Sequence, residues 1–135
     1  MGTIANPELS VIRYIAVIIG GGLGAAARYG STQLVNTLWV QPFPLGTFCV
    51  NALGSFMIGF LFQIFESSRI PGELRLFLIT GFLGGYTTFS SYALESIRLF
   101  SEGQVKQALL NIIVNNLAAL VLAGLGIGLS KALVS

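Results

Sequence analysis

Apolar residues do not alternate with polar ones along this chain. They run in four long blocks, at about residues 11–38, 45–65, 74–100 and 105–129. A helix needs roughly 20 apolar residues to cross the ~30 Å hydrocarbon core, and each block reaches that length. Residues 1–10, with Pro7 and Glu8, read as a short polar tail. The apolar run that follows is too long for the core of a cleavable signal peptide. Trp39, Pro42 and Pro44 mark an interfacial loop with the indole at headgroup level. Glu66, Ser67, Ser68, Arg69, Pro71, Gly72 and Glu73 form a solvated loop, and Ser101 to Gln104 a tight turn around Gly103. The pattern predicts one all-α membrane domain over residues 1–135, with four spans and no internal repeat or low-complexity segment.

Composition agrees. The 135 residues are 54% hydrophobic and 9% charged, with a mean hydropathy of +0.83; a soluble domain carries about 25% charged residues. Histidine and aspartate are absent, which removes His- or Asp-based triads, His-ligated metals and Asp carboxylate pairs. Cys49 is the single cysteine, so no intrachain disulfide or CxxC site exists, and it reads as a small buried hydrophobe. A net charge of +2 is too small to argue for nucleic acid. Gly20-Gly21-Gly22-Leu23-Gly24-Ala25-Ala26-Ala27 mimics a GxGxxA nucleotide fingerprint but lacks the strand–helix–strand context and a following acidic residue. Small residues here let neighbouring helices approach closely.

The third block departs from plain lipid-facing helix. Thr80 to Tyr92 holds three glycines, three threonines and two serines. Glycine eases departure from helical dihedrals, and threonine hydroxyls compete for backbone hydrogen bonds. Non-helical backbone at membrane depth survives only where it is buried in protein or lines a polar cavity. One reading is a helix broken near Gly84 to Thr88, with freed carbonyls facing something polar. The other is a straight helix using Gly81 and Gly85 as a small-xxx-small face.

Polar side chains elsewhere in the blocks sharpen the question. Arg28 is either a functional charge within the first span or an arginine snorkelling to its end. Thr47, Asn51 and Ser55 share a helical face, and Asn51 is either interhelical glue or a pore-facing donor. Thr88, Ser91 and Glu95 form a polar track, with Phe89 and Tyr92 on a neighbouring face. In the fourth block Asn111 and Asn115 share a face, Asn116 lies beside them, and Gly124 and Gly128 read as a packing pair. Enzyme chemistry is poorly supplied, with Glu95 the one carboxylate near these groups. Neutral donors and aromatic edges, which carry partial positive charge, suit a small anion that must be bound without being trapped.

Gly81-Phe82-Leu83-Gly84-Gly85-Tyr86-Thr87-Thr88-Phe89-Ser90, with Gly46-Thr47-Phe48-Cys49-Val50-Asn51 and Gly24-Ala25-Ala26-Ala27-Arg28, resembles the Fluc (CrcB-type) fluoride channels along nearly the whole chain. The resemblance implies a dual-topology antiparallel homodimer in the lipid of the cytoplasmic (inner) membrane. It would hold two fluoride pores and a central structural sodium ion, and would export fluoride passively. It also implies backbone carbonyls of Gly84 and Thr87 on sodium, and Phe89 and Asn51 beside fluoride. Thr88, Ser91 and Glu95 would match the family's polar track, Asn111 and Asn115 its fourth-span hydroxyl positions, and Arg28 a vestibule arginine. Tyr92 stands where many relatives have a second phenylalanine; its added hydroxyl would either bond fluoride or face the vestibule. Two alternatives stay open: a small multidrug-type exporter, although the first span lacks the glutamate such exporters use, and a non-transporting assembly subunit.

Charge counting bears on orientation. Four spans put Arg13, Arg69, Arg75 and Lys131 on one side and Arg98 and Lys106 on the other, with Arg28 inside its span. Lys/Arg excess near span ends sets topology. A difference this small permits insertion both ways, while mildly favouring a single orientation with cytoplasmic termini.

Overall fold

The computed structural model describes residues 6–135, and all regular structure among them is helical. Helix α1 is Pro7–Leu38, α2 Leu45–Ser67, α3 Gly72–Arg75, α4 Gly84–Tyr86, α5 Phe89–Ser101 and α6 Val105–Val134, with a π-wound stretch, Leu76–Leu83, between α3 and α4. Helices α1, α2 and α6 are each long and apolar enough to cross a membrane, and their outward faces display Ile12, Ile18, Leu34, Leu53, Leu120 and Leu125. The chain is a multi-pass membrane protein.

Local chemistry sets the element ends. Pro7 occupies a first-turn position, where its missing N–H costs nothing, and Asn6 caps the helix by accepting from the Glu8 N–H at 3.1 Å. The helix therefore starts inside the expected 1–10 tail; residues 1–5 of that tail lie outside the described residues. At its far end the Trp39 indole donates to the Phe43 carbonyl at 3.0 Å, tying the 39–44 loop. Gly103 makes the turn before α6 with φ of +75°, a conformation glycine adopts without Cβ strain.

Helix α1 lies along the π-wound stretch and α4, while α2 lies along α6. Both seams depend on missing side chains. A Cβ at Gly24 would overlap the Phe82 carbonyl, and one at Gly85 the Gly21 carbonyl. In the second seam Gly59 lies against Ala123 and Gly126 against Phe56. Gly124 and Gly128 are not the packing pair expected of them within one chain. The helical period turns them to open space, and Gly126 takes that role.

The Leu76–Leu83 winding had no signal in the apolar pattern. Its turns are wider than α, so the Gly84 N–H reaches back to the Ile79 carbonyl. Gly84 itself has helical dihedrals (φ −61°, ψ −36°), so it stands ahead of the non-helical residues rather than among them. Those residues are Thr87 (φ −82°, ψ 156°) and Thr88 (φ −148°, ψ 110°).

Candidate anion-conducting cleft

Two successive threonines separate α4 from α5. The Thr87 hydroxyl donates to the Leu83 carbonyl at 3.0 Å, closing the preceding turn from the side chain. Thr88 adopts extended dihedrals and caps α5, its hydroxyl oxygen accepting from the Ser91 N–H at 3.2 Å. In an uninterrupted helix the Thr88 N–H would bond the Gly84 carbonyl. It donates instead to Asn51 Oδ1 at 2.8 Å, and Asn51 Nδ2 donates to the Thr88 carbonyl at 3.1 Å. One side-chain amide thus satisfies both backbone groups of a residue buried between helices.

That pairing fixes which way Asn51 points, since an N–H can only donate. Its other amide proton goes to Asn115 Oδ1 at 3.2 Å. Asn115 Nδ2 in turn donates to Asn111 Oδ1 at 2.6 Å and to the Asn111 carbonyl at 3.1 Å. Asn111 Nδ2 donates to Ser96 Oγ at 3.0 Å, and Ser96 donates to the Tyr92 carbonyl at 2.8 Å. Beyond the Thr88 pairing, donation in this row runs from Asn51 through Asn115 and Asn111 to Ser96. Ser96, which the sequence pattern did not single out, terminates it; its place on the Tyr92, Ser96 face of α5 was the available signal.

The expected site residues do not all meet in one place. Asn51, Thr88, Phe89, Tyr92, Asn115 and the sodium candidates Gly84 and Thr87 line one cleft of about 410 Å³, joined by Ser55 and Asn116, and among the described residues no charged side chain lines it. Phe89 is 75% exposed there, its ring centroid 5.2 Å from that of Tyr92. Asn111 has no exposed surface and lies behind Asn115. Ser91 sits beside the cleft, accepting from the Thr88 hydroxyl at 3.0 Å. Glu95 lies farther along α5, accepting from the Thr47 hydroxyl at 2.6 Å, and with Thr47 lines a second cleft under the 39–44 loop. Arg28 turns toward the break, with Nη1 3.5 Å from the Thr87 carbonyl.

Known proteins align along almost the whole chain. The fluoride-specific ion channel FluC of Parabacteroides distasonis is 40% identical over 125 residues, covering 93% of this chain and 98% of that protein. FluC of Legionella pneumophila (strain Paris) is 46% identical over 123 residues, covering 90% and 91%. A FluC of Thermus thermophilus is 45% identical over 122 residues, covering 90% and 98%. The model of the family described as CrcB-like protein, Camphor Resistance (CrcB), matches residues 15–127, from the first third of α1 through most of α6, and the chain belongs to that family.

Proposed function

We propose that this chain is one subunit of a channel that passes fluoride selectively and passively out of the cell. The observation that carries the reading is the uncharged cleft at the α4–α5 break, where an exposed phenylalanine ring stands among hydroxyls and amides. A ring edge offers partial positive charge, and neutral polar groups replace hydration without holding the anion as a fixed cation would. The names of the FluC relatives support fluoride as the ion. In this reading residues 72–101 supply a fourth crossing, broken at mid-membrane, and the whole chain is a single four-span domain.

A second, antiparallel copy would cover the exposed Phe89 and complete the pathway. The Gly84 and Thr87 carbonyls fit a sodium ion in their chemistry. Extended backbone at Thr88 strips the Gly84 carbonyl of its helical N–H, the Thr87 carbonyl has only the long Arg28 contact, and hard cations take oxygen ligands. Two carbonyls are too few for a full shell, so a second copy would have to contribute the same pair. Bound there, sodium would supply positive charge and hold the two breaks together.

The test uses the purified chain in liposomes loaded with fluoride or chloride, with a potassium ionophore to balance charge. Fluoride should leave quickly and chloride stay. Fluoride retention, or comparable chloride release, refutes the reading.

A further inference from the structure

Glu95 carries a charge that the chain does not balance. Three of the five acids are ion-paired, Glu66 with Arg75 at 2.8 Å, Glu73 with Arg13 at 3.5 Å and Glu102 with Arg98 at 3.7 Å. Glu95, half-buried midway along α5, has no ion pair among the described residues. Its Oε1 accepts from the Thr47 hydroxyl, while Oε2 is covered by protein and has no hydrogen-bond partner. A carboxylate withdrawn from water is costly unless a cation or further donors meet it.

The cleft that Glu95 and Thr47 line has a volume of about 510 Å³, within the roughly 300–1,000 Å³ usual for small-molecule sites. Trp39, Phe43 and two prolines wall it, with the Asn36 and Gln41 amides. The Trp39 indole is pinned by its bond to the Phe43 carbonyl, and the Phe43 ring sits edge-on to Phe48, centroids 6.0 Å apart. A smaller space of about 180 Å³ shares Pro42, Pro44 and Glu95 and brings in Arg98, whose charge is spent on Glu102.

We propose that the cleft under the 39–44 loop binds an ammonium group carried on an apolar body, with Glu95 as its counter-charge and Trp39 and Phe43 as its aromatic wall. Ring faces attract cations, and the carboxylate and amide oxygens accept the ammonium protons. A bare metal cation would need a cage of oxygens, which rings and prolines do not build. Glu95 already lines the cleft, and carboxylate torsions are broad, so a small rotation offers the bound group an oxygen. The site uses neither the break nor its cleft, so it stands or falls apart from the channel reading.

Trp39 is the chain's one tryptophan, so its emission reports on the cleft. The test titrates the purified chain in non-ionic micelles with n-butylammonium chloride, with n-butanol and sodium chloride as controls. Butylammonium should give a saturable change that neither control gives; an equal response to either control overturns the proposal. Glu95→Gln keeps the side chain's shape and an acceptor for Thr47. It should raise the half-saturating butylammonium concentration about tenfold, the low end for a hydrogen bond to an ion. An unchanged half-saturation overturns the assignment of Glu95. Phe43→Leu tests the aromatic wall independently and should weaken binding severalfold; wild-type binding there overturns the role of the ring. Added phosphatidylethanolamine separates the two sources of such a group. Competition with butylammonium assigns the site to a lipid headgroup, and its absence to a soluble amine.

Discussion

Replacing Asn51 by leucine keeps the number and branching of side-chain heavy atoms while removing three hydrogen bonds, to the Thr88 N–H, the Thr88 carbonyl and Asn115. Leaving a buried polar group without a partner costs about 1–3 kcal/mol. Thr88 is buried, and its two backbone groups alone bring the loss to about 2–6 kcal/mol. Interhelical side-chain hydrogen bonds in membrane proteins average only about 0.6 kcal/mol, because the displaced groups find other partners. The two figures separate two behaviours of the break. If packing holds Thr87 and Thr88 extended, the larger cost applies. If the break can rewind, the Thr88 N–H recovers the Gly84 carbonyl and little is lost. Equilibrium unfolding of purified Asn51→Leu in mixed micelles, compared with wild type, measures the difference. A loss under about 1 kcal/mol would refute the claim that Asn51 is required to satisfy the break.

Phe89→Ile should cut fluoride flux strongly while leaving stability within about 1 kcal/mol of wild type, because the ring is 75% exposed within one chain; efflux and unfolding measured on one preparation check both. Gly24→Val should lower stability by about 1–3 kcal/mol or more, since its side chain meets the Phe82 backbone and not a yielding side-chain tip. Gly124→Ala, facing open space, should be neutral or gain up to about 1 kcal/mol from helix propensity, and the same unfolding assay reads both glycine variants. Cysteines placed at the two termini should label in about half the molecules from each side of intact cells, by the weak Lys/Arg bias of the span ends; one-sided labelling would refute antiparallel assembly.

Membrane residence, the loop at 39–44, a loop around Arg69 and the turn at Gly103 were legible in the residue pattern, because each follows from local hydropathy, Pro or Gly. The loop expected over Glu66–Glu73 is shorter, since Glu66 and Ser67 end α2 and Gly72 and Glu73 begin α3. The resemblance in Gly81–Ser90 also pointed to the right family. The faces carrying Asn51, Thr88 and Asn115 were visible as helical spacings. Their partners were not, since spacing places a residue on its own helix and says nothing about the helix opposite. Packing of α2 against α6 brings Asn51 to Asn115, and the extended Thr88 brings its N–H to Asn51. The same long-range geometry made Gly126, and not Gly124, the contact glycine, and buried Asn111 behind Asn115. A single sequence determines which residues are polar within an apolar span. Only the tertiary structure decides which of their protons remain free, because a hydrogen bond depends on both partners' positions and these lie up to 64 residues apart.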